Sequence, residues 1–349
     1  MNITETSSNL VGISTAVPKF EFNNLNYDLL DSDKLVKFIE ITGIKKRRIV
    51  NKNICTSDLA VNAGEKLLTD LNWKKDEIDF VLLITQTPDY LTPATSIIIQ
   101  DRMQLKKNLF TLDINLGCSG FPYGITLANS LIDNFNFKKG ILFIGDVSSK
   151  LCNYNDKSTW PLFGDACSAV AFEKKSKTKV FSDFYTDGSA YTDIIVPSHS
   201  LAGRNELTTD SFKNKKDKEL IRNDVNMHLN GANIYSFAIS SVPKKINEII
   251  LFSKINIKKI KYCFLHQANK LINQTIESKL NFRSVEYPTS IEEFGNTSSA
   301  TIPITITKNF SSTYFSGLSI LCGFGVGLSL ATLIIDFKDV KVSKLVELE

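Results

Sequence analysis

The sequence predicts an α/β protein built from two similar halves, and three features carry that expectation. The strand-like runs at 80–85 and 140–146 are apolar throughout, as in strands covered by helices on both faces. These runs alternate with segments in which apolar residues recur at helical spacing. Motifs also repeat. Phe163-Gly164 with Ser168 is echoed by Phe324-Gly325 with Ser329, and each set heads a strand-like run, at 169–172 and 330–335. Cys118 and His266 likewise each follow a short apolar strand and precede a helix, at a similar offset. The halves are drawn as 1–175 and 176–349, and the repetition suggests an ancient duplication.

In chain order, Val11 to Pro18 reads as a first strand and turn. Leu29, Leu30, Leu35, Phe38 and Ile39 suggest helical segments over 26–40. Gly43 punctuates them before a basic run, Lys45 to Arg48, which taken alone reads as a solvated edge. A helix capped by Ser57 runs to Leu68. Leu109, Phe110, Leu112 and Ile114 read as a buried strand, bounded by Gly117, Ser119 and Gly120. Phe121, Ile125, Ala128 and Leu131 then recur at helical spacing, with Pro122 in the first turn, where it is tolerated. Between the halves, 198–230 is polar and carries Lys213, Lys215, Lys216 and Lys218, the pattern of a surface insertion or a mobile loop near a site. In the second half the run at 261–265 ends on His266, and Leu271, Ile272, Ile276 and Leu280 mark the next helix.

Composition bounds the function. At 349 residues the chain accommodates two core-sized units, and 43% hydrophobic with 22% charged residues is ordinary for a globular protein. No apolar run approaches the roughly 18–20 residues that cross a bilayer, and the N-terminus lacks a basic region followed by an apolar core. Six cysteines without CxxC pairs suggest free thiols and a cytoplasmic location. With three histidines, of which His199 and His228 read as ordinary surface or hydrogen-bonded residues, no metal site is expected. A net charge of +4 suits an acidic protein partner and does not call for nucleic acid.

Cys118 is the chemical focus. At the corner between a strand end and a helix N-terminus, unpaired N–H groups and the helix dipole favour a thiolate. The same residue also reads as a buried, inert cysteine. A nucleophilic cysteine needs a base, for which His266 is the candidate. Asn296, after Gly295 and before a Thr/Ser-rich helix start, either presents an amide to a site or caps the helix. The glycines of CGFGVG at 322–327 permit close backbone approach and can aim N–H groups at an oxyanion. The order Cys, His, Asn also describes papain-like hydrolases, but their flanking pattern around the cysteine is absent and repeated α/β grammar disagrees with their fold.

DINLGCSGFPYG, HQAN and FGNTSSAT together resemble the 3-oxoacyl-acyl-carrier-protein synthase III family of thiolase-fold condensing enzymes. FGDACSAVAF, GFGVGLS and the early TGIKKRRI agree in order and approximate spacing, so the resemblance runs from about Val11 to Ile335. It implies a thiolase-like five-layer αβαβα fold and a homodimer. It also implies a decarboxylative condensation: an acyl group loaded on Cys118 joins malonyl-acyl carrier protein, releasing carbon dioxide. Cys118 matches the acyl-accepting nucleophile, and His266 and Asn296 match the pair that stabilises the enolate, through His266 Nε2–H and the Asn296 amide. The backbone N–H groups of Cys118 and Val326 match the oxyanion hole. Acyl and malonyl thioesters are the implied substrates, an acyl carrier protein the partner, and no cofactor is implied. Asn269 and Lys270 are candidates for substrate or carrier contact, and Lys244, Lys245, Lys258 and Lys259 for a basic rim that receives the carrier's acidic helix.

Some positions depart from the family. Where it stacks tryptophan and arginine on the adenine of coenzyme A, this chain has Lys37 and Ile41, and Lys157 replaces a further arginine. The expected primer donor is therefore a carrier protein. A bulky residue contributed across the dimer falls near Thr92, whose small side chain would admit a longer or branched acyl group. Two other readings stay open: an acyltransferase that moves the acyl group from Cys118 to an amine or hydroxyl of a small metabolite, and a catalytically silent partner subunit.

Overall fold

The apolar runs form strands buried on both faces in the computed structural model, which describes residues 3–175, 178–217 and 220–349; Lys218 lies outside them. The principal strands are β1 (Thr4–Ser8), β2 (Leu10–Pro18), β3 (Phe80–Ile84), β4 (Phe110–Ile114), β5 (Lys139–Asp146), β6 (Ala166–Glu173), β7 (Thr178–Thr186), β8 (Tyr262–Leu265), β9 (Thr313–Gly325), β10 (Ser329–Val342) and β11 (Val346–Leu348). The helices are α1 (Ser32–Thr42), α2 (Thr56–Leu71), α3 (Thr95–Arg102), α4 (Gly120–Asn134), α5 (Gly231–Ser253), α6 (Lys270–Leu280), α7 (Ile291–Phe294) and α8 (Thr301–Phe310).

Alternation along each strand divides the core into layers. Phe80, Leu82 and Ile84 of β3 face α4 and α8, whereas Val81 and Leu83 face α2 and α3. Leu321 and Leu333 face the same α4–α8 layer from the second sheet, and Cys322 and Ile334 face α5 and α6 on its far side. The result is helix, sheet, helix, sheet, helix: the five-layer αβαβα arrangement.

The first sheet runs β4-β3-β5-β6-β2, with β4, β3 and β5 parallel and β6 antiparallel to both its neighbours. The second runs β8-β9-β10-β7, with a parallel bridge from Tyr262 to Glu286 outside β8. Counted within each half, both sheets have the same strand order and the same directions. The termini interlock the two, because β1 pairs with β7 and β11 pairs with β2. A short parallel contact, Lys341 beside Gly12, joins the sheets directly.

Three expectations need correction. Among the described residues β4 is an edge strand, paired only with β3, and Leu112 is 41% exposed rather than buried. α2 begins at Thr56 behind Cys55, whose N–H donates to the Asp58 carboxylate at 2.6 Å, so Ser57 lies inside the helix. The basic run is not a solvated edge throughout, since Arg47 is fully buried. Its guanidinium donates to Asn24 Oδ1 at 2.9 Å, to the Trp160 carbonyl at 2.7 Å and to the Phe163 carbonyl at 2.9 Å.

The stretch at 198–230 folds against the body. His228–Leu229 pairs with Ile194–Ile195, Lys215–Asp217 pairs with Leu220–Arg222, and Arg222 meets the buried Asp156 carboxylate at 2.9 Å.

Candidate active site

Cys118 lies between β4 and α4, one residue ahead of the Ser119 N-cap, and lines a cavity of about 70 Å³ together with His266 and Asn296. Leu151, Leu162, Phe163, Met227 and Phe324 make its walls apolar. Gly325 has φ +153°, and a Cβ there would lie 2.9 Å from the Cys118 sulfur, so the chain must have glycine to pass so close. That passage brings the Val326 N–H into a hydrogen bond with the sulfur, and the Ser298 side chain supplies another.

Burial dominates the thiol. It pushes Cys118 up to about 12, and the hydrogen bonds from Val326 and Ser298 offset only part of the effect. The buried Asp146 carboxylate also disfavours a second anion there. Burial thus favours the neutral thiol and opposes the pull of the helix N-terminus toward a thiolate. Burial likewise pushes His266 down to about 3, which favours the neutral imidazole, and the Ser298 backbone opposes this only in part.

His266 Nδ1 lies 2.6 Å from the Thr301 hydroxyl, which also reaches the Ser298 carbonyl at 3.1 Å. With the hydroxyl proton toward Ser298, Nδ1–H donates to Thr301 and Nε2 carries a lone pair; with it toward Nδ1, the imidazole proton sits on Nε2. Phe324 packs edge-on against the ring at 5.4 Å and holds its plane.

Asn296 is held from both sides. Its N–H donates to the Leu162 carbonyl at 2.9 Å and its own carbonyl accepts from Gly164 at 3.0 Å. Its Oδ1 accepts the Ser298 N–H at 2.9 Å, so the amide NH₂ remains as the donor. Ser298 occupies the left-handed region at φ 51°, and Asp146 fixes the next residue through Ser299 Oγ at 2.7 Å.

Two family models match the chain: 3-oxoacyl-[acyl-carrier-protein] synthase III over residues 112–188, and the C-terminal region of the same family over 252–337. A β-ketoacyl-[acyl-carrier-protein] synthase III of Streptococcus agalactiae is 32% identical over 299 residues, covering 84% of this chain and 88% of the relative. The chain belongs to this synthase III family. A second such synthase, from Staphylococcus epidermidis, is 32% identical over 335 residues, covering 92% of this chain and 95% of its own. The crystal structure of a 3-oxoacyl-(acyl-carrier-protein) synthase from Burkholderia xenovorans superposes with a TM-score of 0.89 at 27% identity, covering 99% of both chains.

Within this synthase III framework, the other residues singled out from sequence fall in different places. Asn269 lines the Cys118 cavity and also caps α6, accepting the Ile272 N–H at 2.8 Å. Lys270 lines a separate cavity of about 410 Å³ between α1 and α6. Lys157 is exposed and borders neither. Thr92 sits in an exposed loop beside Tyr90 and Leu91. Lys37 and Ile41 are exposed on α1. Lys245 is engaged by Asp183 and Glu248, whereas Lys244, Lys258 and Lys259 are exposed. Cys322 points into the α5–α6 layer with its sulfur 3.4 Å from Thr332 Oγ1, away from the cavity. Sequence reasoning missed Ser298 and Thr301, whose only sign was their place in FGNTSSAT, and Gln86, which lines the cavity from the end of β3. Among the described residues no His/Cys/Asp/Glu cluster suits a metal ion, and no helix is long and apolar enough to cross a membrane.

Proposed function

We propose that this chain loads an acyl group on Cys118 and condenses it with malonyl-acyl carrier protein, giving a 3-oxoacyl product and carbon dioxide. One observation carries the reading: a buried thiol, an imidazole that burial keeps neutral and an amide NH₂ meet in one mostly apolar cavity beside the Val326 N–H.

In loading, the Cys118 sulfur attacks the thioester carbonyl as its proton passes to His266 Nε2, which is an acceptor in the tautomer whose Nδ1–H donates to Thr301. The backbone N–H groups of Val326 and Cys118 receive the oxyanion. The carrier's sulfur leaves and takes the proton, so the imidazole returns to its neutral state. In condensation, malonyl thioester loses carbon dioxide and its carbonyl oxygen gains negative charge, which the Asn296 NH₂ receives. His266 becomes the second donor when Thr301 turns from the Ser298 carbonyl and donates to Nδ1, leaving the proton on Nε2. The enolate carbon then attacks the acyl carbonyl, and Cys118 departs as thiolate and takes up a proton from solvent. The sequence balances with the two thioesters and that one proton and calls for no cofactor.

The carrier-bound primer fits α1, where Lys37 and Ile41 replace the aromatic–arginine pair, and the exposed Lys258, Lys259 and Lys270 offer positive charge to an acidic carrier. A homodimer fits the unpaired, partly apolar edge of β4. Six free cysteines fit a reducing, cytoplasmic setting.

Intact-protein mass spectrometry tests the division of roles. Cys118→Ala is expected to form no acyl adduct. Asn296→Ala is expected to load but to lose malonyl decarboxylation by roughly 10²–10³-fold, as for one lost oxyanion donor. An adduct on Cys118→Ala, or equal damage to both half-reactions in Asn296→Ala, contradicts the assignment.

A further inference from the structure

Beside the Cys118 cavity lies a second cavity of about 260 Å³, and Gln86, Leu151, Ile194, Met227 and Val326 border both. The shared wall is mostly apolar, and the second cavity adds Asn115 and His199 together with Ile195 and Val196. Gln86 stands at the junction. Its backbone N–H is fixed by the buried Asp146 carboxylate at 2.6 Å. Its Oε1 lies against Gly117, 2.3 Å from where a Cβ would stand, so this amide sits beside the residue that precedes the nucleophile. Among the described residues its side chain makes one hydrogen bond, a long one of 3.4 Å to Asn115 Oδ1, so most of its hydrogen-bonding capacity is open.

Resting on the condensing reading above, we infer that the acyl group on Cys118 extends past Val326 into this second cavity and carries a hydroxyl a few carbons from its carbonyl, which Gln86 recognises with Asn115 and His199. The first carbons of such a chain meet Leu151, Ile194 and Met227. An all-carbon chain of the same length would strip water from the Gln86 amide and return no hydrogen bond. Asn115 follows the edge strand β4, so pairing with a second copy there would wall off the open side of this cavity.

The test uses the full chain and matched butyryl, 3-hydroxybutyryl and 4-hydroxybutyryl thioesters on one carrier protein, with adduct formation on Cys118 followed by intact mass. The loading step is the same for all three: a Cys118 S–C bond forms, the carrier S–C bond breaks, and the thiol proton goes to the carrier sulfur. One of the hydroxylated chains is expected to load at least about tenfold faster than butyryl, an advantage of about 1.4 kcal/mol. In Gln86→Met, which keeps the length and removes the amide, that ratio is expected to fall below about threefold, with a smaller fall in His199→Phe. Butyryl loading as fast as both hydroxylated chains overturns the inference, as does a preference that survives both substitutions. If none of the three forms an adduct on Cys118, the condensing reading falls and this inference with it; if butyryl alone loads, only this inference falls.

Discussion

At the scale of single residues, the site is a balance between a local field and a tertiary one. Cys118 stands where a helix N-terminus favours an anion, an effect of about 0.3–1 kcal/mol. Burial opposes it and wins, pushing the thiol up to about 12 while His266 is pushed down to about 3. The thiolate is then a minor form at neutral pH, and on the proposed mechanism reactivity depends on handing the proton to His266 during attack. Alkylation of Cys118 by iodoacetamide is expected to rise about tenfold per pH unit from pH 7 to pH 9, with no plateau below. A plateau between pH 5 and pH 8 is the signature of an imidazolium–thiolate pair and contradicts this picture. The sequence showed the three site residues as separate motifs, yet the resting protonation was illegible in it. Dipole and neighbours are local, whereas desolvation by Phe163, Met227 and Phe324 comes from distant parts of the chain.

At the scale of elements, the segment from Trp160 to Gly164 and the loop before α8 place Asn296, and Arg47 braces them. The segment from Trp160 to Gly164 hydrogen-bonds Asn296 on both sides of its peptide unit, and Arg47 holds the carbonyls of Trp160 and Phe163. Gly295, at φ +63°, passes so close that a Cβ would meet Arg47 Cγ at 2.9 Å. Burial pushes the guanidinium down to about 10, still charged at neutral pH, and Phe22 and Trp160 flank it at 5.1 and 5.3 Å. Arg47→Met leaves two carbonyls and Asn24 Oδ1 without a donor, at about 1–3 kcal/mol each. The variant is expected to lose about 3 kcal/mol or more of stability in urea unfolding. Its decarboxylation is expected to fall further than its acyl loading, because Asn296 is the group set adrift. Unchanged stability contradicts the bracing role. The run Lys45 to Arg48 concealed this, since the carbonyls that take up the charge lie more than a hundred residues away in sequence. By contrast β3 and β5 were plain in the sequence, because an uninterrupted apolar run needs cover on both faces.

At the scale of the whole molecule, two sheets of identical strand order clasp α4 and α8, and each half lends a terminal strand to the other. The repetition was legible in Phe-Gly and Ser echoes, but the exchange of β1 and β11 was not, since it depends on pairing rather than pattern. The edge position of β4 was equally hidden: Phe110, Leu112 and Ile114 look like any covered strand until sheet order leaves one side unpaired. Such an edge invites a second copy, and charge on it is the usual deterrent. Leu112→Lys is therefore expected to shift sedimentation from dimer to monomer; a monomeric parent chain, or a variant that stays dimeric, contradicts the proposed assembly. The central claim is that acyl transfer from Cys118 is coupled to loss of carbon dioxide, and a single-turnover experiment tests it most directly. Enzyme carrying one acyl group on Cys118 is mixed with malonyl-acyl carrier protein, and adduct, product and carbon dioxide are quantified together. The expected result is one carbon dioxide and one 3-oxoacyl carrier for each adduct consumed. Loss of the adduct to an amine or hydroxyl acceptor, with malonyl carrier untouched, would contradict it.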